Sequence, residues 1–373
     1  MKTGCARLCQ LAWLVVLAGL CLATGASAQE DNSEMQLSKE PPQGKFVTLP
    51  PRLRYDIAPP ATPLTTWNGT FSYKGKIYTY NMVGKAPSSN ATTTIPVYII
   101  PLEIVITSTT GTTKKFNPNH VLANGNTVTQ NTVASPLFDS TTNYTQGGVN
   151  VGTTQYIDAF QRANFWGTVA TNPNYHLLLG GPTVLSKQTL SPPTNKGKTG
   201  SPFGVKVGLV DIDWFDAQLL TLIGKFSKIK PNSLPIFLTY DVYLTQGGGC
   251  CIGGYHSAEG SAAGPQAYGH FTYIDHVGTF AQDVSALSHE IGEWADDPLV
   301  VNNGNNSPCG VLEVGDPLEG NANYGGYPYV LNGFTYNLQD LVTLPYFGAP
   351  ASTSVNGYFT FQGERLGVCQ NGS

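Results

Sequence analysis

Between Ala286 and Pro298 the chain reads ALSHEIGEWADDP, and this stretch limits the fold more than any other. Its period is helical: at ~100° per residue Val284, Leu287, Ile291 and Trp294 fall in one apolar stripe that must be buried, and Pro298 stops the helix. With His289 at zero, Glu293 lies about 40° to one side and Asp296 about 20° to the other, so three potential ligands share a face. Glu290 sits at the border of the two faces. Gly292 lowers helix propensity but lets another backbone come close. The cluster stands out because only 12% of the 373 residues are charged and six are histidine.

The order HExxE differs by one residue from the zinc-peptidase motif HExxH, in which side chains at i and i+4 hold the metal and the intervening glutamate is the base. On that pattern His289 and Glu293 are metal ligands and Glu290 is the general base. A carboxylate in place of the second histidine makes the site more anionic and less selective among divalent ions. Zinc is the expected ion, with calcium as the alternative. A catalytic zinc takes a third protein ligand. Gluzincin-type enzymes draw it from a downstream glutamate, so Glu313 in CGVLEVGDP is the choice, with Asp316 as its orienting neighbour or substitute. The bland alternative is a solvated acidic face, as most charge runs are. Asp296 and Asp297 weigh against it, because acids at a helix C-terminus oppose the dipole and a nearby cation relieves the conflict.

The N-terminus has a basic start at Lys2 and Arg7, an apolar run from Leu11 to Ala23, and then Ala26-Ser27-Ala28. That is the anatomy of a signal peptide over residues 1–28, so the expected product is secreted, periplasmic or extracellular, with no membrane span after cleavage. Losing Lys2 and Arg7 takes Lys plus Arg from 20 to 18 against 24 acids, a net charge of −6. Mild acidity without a basic patch argues against nucleic acid as a partner. Cys250, Cys251, Cys309 and Cys369 remain, and an even count in an exported chain suggests two disulfides. A bridge between the adjacent Cys250 and Cys251 is the least expected pairing.

Residues 29–62 hold clustered prolines and read as an extended linker or pro-segment. Residues 63–230 form a β-rich region. Within it FSYKGKIYTYNMV (71–83) signals a hairpin, IPVYIIPLEIVIT (95–107) a strand with a bulge or edge at Pro101, and 153–165 a helix. Val205–Val210 predicts a strand, followed by a helix capped by Asp211 or Asp213. From 231 onward a strand at LPIFLTYDVYL (234–244), a Gly-rich loop and a short strand at Phe271–Ile274 lead to the HExxE helix.

The last third also resembles the EXORDIUM-like, phosphate-induced family of secreted proteins, through Gly254-Tyr255-His256, SHEIGEWADDPLV (288–300), LEVGD (312–316) and GFTYNL (333–338). The resemblance covers about residues 250–340. It implies a zincin-like group with glutamate in place of the second histidine, often tied to cell walls. It also implies that His256 polarises a substrate carbonyl or acts as a further ligand, and that Tyr336 could serve an oxyanion. The expected architecture is α+β: a zincin-like unit over 231–373, with a mixed sheet, a backing helix and an active-site helix, preceded by the β-rich region. The expected activity is metal-dependent hydrolysis of a peptide or protein substrate aligned on Phe271–Ile274 as an edge strand. The alternative is a non-catalytic protein of the cell surface or wall with a structural zinc or calcium site.

Overall fold

The computed structural model describes residues 44–73, 75–302, 312–318, 326–355 and 357–363. The expected signal peptide, residues 29–43 of the Pro-rich stretch, and Cys309 and Cys369 lie outside the described residues.

Two short strands come first, β1 (Lys45–Thr48) and β2 (Arg52–Arg54). The expected hairpin follows as antiparallel strands Thr66–Tyr73 and Lys76–Val83, turning at Gly75 with φ 77°. Then come β3 (Val97–Thr107), α1 (Tyr156–Asn164), β4 (Thr183–Val184), β5 (Gly197–Gly200) and β6 (Val207–Asp211). Asp211 caps α2 (Ile212–Lys225) by accepting from the Trp214 amide, as the sequence predicts. After it lie β7 (Leu234–Tyr240), β8 (Val242–Gln246), β9 (Gly249–Ser261), β10 (Gln266–Tyr273) and α3 (Ser285–Asp296).

The strands assemble as β4-β3-β7-β10-β9-β8-β6-β5 within a twelve-stranded sheet. Pairings β3–β7, β7–β10 and β8–β6 are parallel, while β10–β9, β9–β8 and β6–β5 are antiparallel. This mixed, strand-rich α+β arrangement agrees with the expected class. The sheet draws strands from both sides of residue 230, so that position marks no break in it.

Three local expectations change. The run LPIFLTYDVYL is two strands, because Asp241 turns the chain at φ 50° and sends β7 and β8 to different places in the sheet. The strand that carries Phe271 is not an edge: β10 is buried throughout and flanked by β7 and β9, the β9 ladder ending at Phe271 and the β7 ladder at Tyr273. The Pro-rich stretch joins the sheet, since β1 and β2 pair in parallel with β9 over Ile252–His256 and Glu259–Ser261. Prolines flank these strands at Pro50, Pro51, Pro59 and Pro60, outside the paired residues, where no ladder donor is lost.

Alternation along β9 sorts its side chains between two cores. Tyr255 points into the core under α2, where its hydroxyl donates to Asp216 at 2.9 Å. Gly254 and His256 point the other way, onto α3. The two helices therefore cover opposite faces of the sheet, and α1 packs against α3.

Candidate metal centre

All twelve residues of α3 are buried. The apolar stripe packs as expected, but the polar face is not wet. It meets β9, β1 and the 312–318 segment. Asp296 leaves the expected ligand face, since its ~60° offset from Glu293 is enough to turn it onto α1, where Gln161 donates to its Oδ1. Gly292 admits the Leu341 side chain, which would lie 2.6 Å from an added Cβ, and not a neighbouring backbone.

Two groups of ligand atoms form around Glu293. In the first, His289 Nε2 lies 2.9 Å from Glu293 Oε1 and 3.6 Å from Asp316 Oδ1. In the second, His256 Nδ1 lies 3.4 Å from Glu290 Oε2 and 3.8 Å from Glu293 Oε2. Within each group the ligand atoms fall within 4.8 Å of one another. Asp316, expected as the orienting neighbour of Glu313 or its substitute, thus stands with His289. Glu313, expected as the third ligand, lies against Glu293 and Asp297 and accepts a hydrogen bond from Thr48 Oγ1 at 3.0 Å.

Glycines let these pieces close. A Cβ on Gly315 would sit 2.2 Å from His289 Nδ1, and one on Gly254 would sit 2.7 Å from Glu290 Oε1. Only a bare backbone can bring the 312–318 segment and β9 this near to α3. Strand β1 then closes the site from the remaining side. The Phe46 ring lies over His289 with centroids 4.0 Å apart, and Thr48 reaches Glu313.

The electrostatics are unusual for a protein interior. Burial pushes the Glu293 and Glu313 carboxyls well above the carboxylate range, and neighbouring Glu293 and Asp297 push Glu313 further. Burial also lifts Asp297 to about 6 and lowers His256 to about 4. Among the described residues no lysine or arginine pairs with Glu293, Asp297 or Glu313. Uncompensated buried charge of one sign costs several kcal/mol per ion, so these groups require protons or a cation.

The donor set fits a divalent cation. Zinc bonds of about 2.0–2.1 Å in a tetrahedron separate ligand atoms by about 3.3 Å; the imidazole-to-carboxylate distances here run from 2.9 to 3.8 Å, and all ligand atoms of a group lie within 4.8 Å of one another. Among the described residues no hydrogen-bond donor reaches the buried Glu293 Oε1, the oxygen that faces His289 Nε2.

The remaining sequence candidates fall elsewhere. The Tyr336 hydroxyl donates to Asn131 Oδ1 at 3.3 Å inside the core. Cys250 and Cys251 form the disulfide that the sequence made least expected; Cys251 is the extra residue where the β8–β9 register slips between Leu244 and Thr245. The sequence reading missed Phe46, Thr48 and Gly315. KFVT has the aromatic and β-branched content of a short strand, and a glycine between two acids in LEVGDP hints at close approach, but nothing in Thr48 itself announces a contact with Glu313. Compared with family models, curated proteins and solved structures, the chain gives no match.

Proposed function

We propose that the chain is an exported, metal-dependent hydrolase acting on peptides or proteins, with zinc held by His289, Glu293 and Asp316 and with Glu290 as the general base. The observation that carries this reading is the convergence of His289 Nε2, Glu293 Oε1 and Asp316 Oδ1, from two separate segments, on the space of one ion. A bound zinc supplies Lewis acidity toward a peptide carbonyl. The chain's own part is to orient that carbonyl, exclude bulk water and take a proton from the attacking water on the Glu290 carboxylate. The mixed sheet, with α3 against it and α1 behind α3, supports a zincin-like reading, and the EXORDIUM-like resemblance belongs to the same proposal. Two imidazoles beside the carboxylates favour zinc over calcium, which takes oxygen ligands. An extended peptide pairing with β9 near His256 would take the place that β1 now holds.

One observation favours a second reading, a structural metal in a non-catalytic protein of the cell surface or wall: His289, Glu290 and Glu293 are buried, with Phe46 packed on His289 and Thr48 bonded to Glu313, and Asp316 alone among the proposed ligands is partly exposed. Loading the protein with one equivalent of zinc and assaying a peptide library separates the two. In the hydrolase, Glu290→Gln keeps the ion at His289 and loses at least about 100-fold in turnover. A metal-loaded protein with no peptide cleavage, unaltered by Glu290→Gln, supports the structural reading.

A further inference from the structure

We infer that the centre is dinuclear, with a second divalent cation bound by His256, Glu290 and Glu293, and with Glu293 bridging the two ions. This rests on the metal-site reading above and extends it to His256 on β9, a ligand outside the HExxE motif.

The first argument is the orientation of one carboxylate. Glu293 turns Oε1 toward His289 Nε2 at 2.9 Å and Oε2 toward His256 Nδ1 at 3.8 Å, so each oxygen serves a different imidazole. Each imidazole is completed by a carboxylate on its own side, Asp316 at 3.6 Å and Glu290 at 3.4 Å. A carboxylate that splits its oxygens in this way spans the metal separation of about 3.5–4 Å found in two-metal sites.

The second argument is the tautomer of His256. Its Nε2 lies 3.1 Å from the Asp297 carbonyl oxygen, which can only accept, so Nε2 carries the hydrogen. In the neutral ring Nδ1 then presents a lone pair, and that lone pair faces two carboxylates. With both carboxylates ionised the contact is repulsive unless a cation lies between them. A ligating histidine whose other N–H is fixed by a backbone carbonyl is the usual support of a metal bond.

Charge balance is the third argument. Glu290, Glu293, Asp297, Glu313 and Asp316 bring five carboxylates to this pocket, of which Glu290, Glu293 and Asp297 are buried and Glu313 and Asp316 partly so. Fully ionised, the five carry five negative charges; one divalent ion leaves three and a second leaves one. An ion in the β9 site also holds Glu290 as a ligand, so filling that site withdraws the proposed base.

The test is a titration of the EDTA-treated full-length protein with cobalt(II), followed by calorimetry and electron paramagnetic resonance. Two equivalents are expected to bind, the second attenuating the signal of the first through exchange across Glu293. His256→Gln, checked for native circular dichroism, is expected to bind one equivalent and show no attenuation. Saturation of the wild type at one equivalent overturns the second site and leaves the single-ion reading standing, whereas no binding removes both. Two uncoupled equivalents in the wild type, or two in a folded His256→Gln, also overturn the bridged centre.

Discussion

The ring of Phe46 lies 4.0 Å from that of His289, tilted by 32°. This contact ties the short strand β1 directly to α3, which carries the proposed metal ligands. Phe46→Ala removes a buried aromatic packed also on Phe280, at a cost of about 3–5 kcal/mol in chemical denaturation. It also uncovers the site, so peptide turnover at one equivalent of zinc should rise in the variant at temperatures where it stays folded. Turnover that is unchanged or lower would show that β1 is no obstacle to substrate.

Arg52 anchors the same segment further along. Its guanidinium pairs with Asp216, which is fully buried and also accepts from Tyr255 and Tyr268 at 2.9 and 2.8 Å. Arg52 is itself half exposed, so water replaces part of what is lost; Arg52→Ala should cost about 1–3 kcal/mol. Native-state hydrogen exchange should then show the amides of β1 and β2 opening first, ahead of β9 and β10. Uniform loss of protection across the sheet would mean that the strap and the sheet open as one unit.

Gly315→Ala forces the His289 ring to move, because the new methyl would lie 2.2 Å from Nδ1. The 312–318 segment can shift to accommodate it, so the melting temperature should change little. Zinc affinity should fall by roughly tenfold or more, as when support of a ligating histidine is disturbed. Calorimetric titration checks this, and wild-type affinity in the variant would place His289 outside the ligand set.

Burial holds Asp283 at about 7 and Asp296 at about 8, both far above the unfolded value of about 3.9. The folded chain therefore binds more protons than the unfolded one between about pH 4 and pH 8. Stability from these groups is fully present below about pH 4 and is lost as pH rises through 7 and 8. In EDTA the urea midpoint should fall across this range. Asp296→Asn keeps an acceptor for Gln161 and should flatten the part of the decline above pH 7; an unchanged slope would contradict the assignment.

The legible part of the fold was local. Helical periodicity placed α1 and α3, side-chain capping placed Asp211, and the Gly75 turn placed the hairpin. What escaped was set by pairing over long sequence distance. That β10 is interior depends on β7 and β9 flanking it, and nothing in QAYGHFTY distinguishes an interior strand from an edge strand buried on both faces. Asp241 broke LPIFLTYDVYL because an aspartate tolerates positive φ, a weak signal inside an apolar run. At the site, i and i+4 spacing brought His289 and Glu293 together from sequence alone. The choice between Glu313 and Asp316 rested on loop conformation across Gly315, and the contribution of Thr48, 265 residues before Glu313, came only from β1 pairing with β9.

Metal content of the purified protein against its His289→Ala variant, measured by elemental analysis after dialysis against a weak chelator, tests the central claim most directly. The wild type should retain zinc and the variant, confirmed as folded, should retain at least one equivalent less. A wild type that retains no divalent ion, or a folded variant that retains as much as the wild type, would contradict a metal centre built on His289 and Glu293.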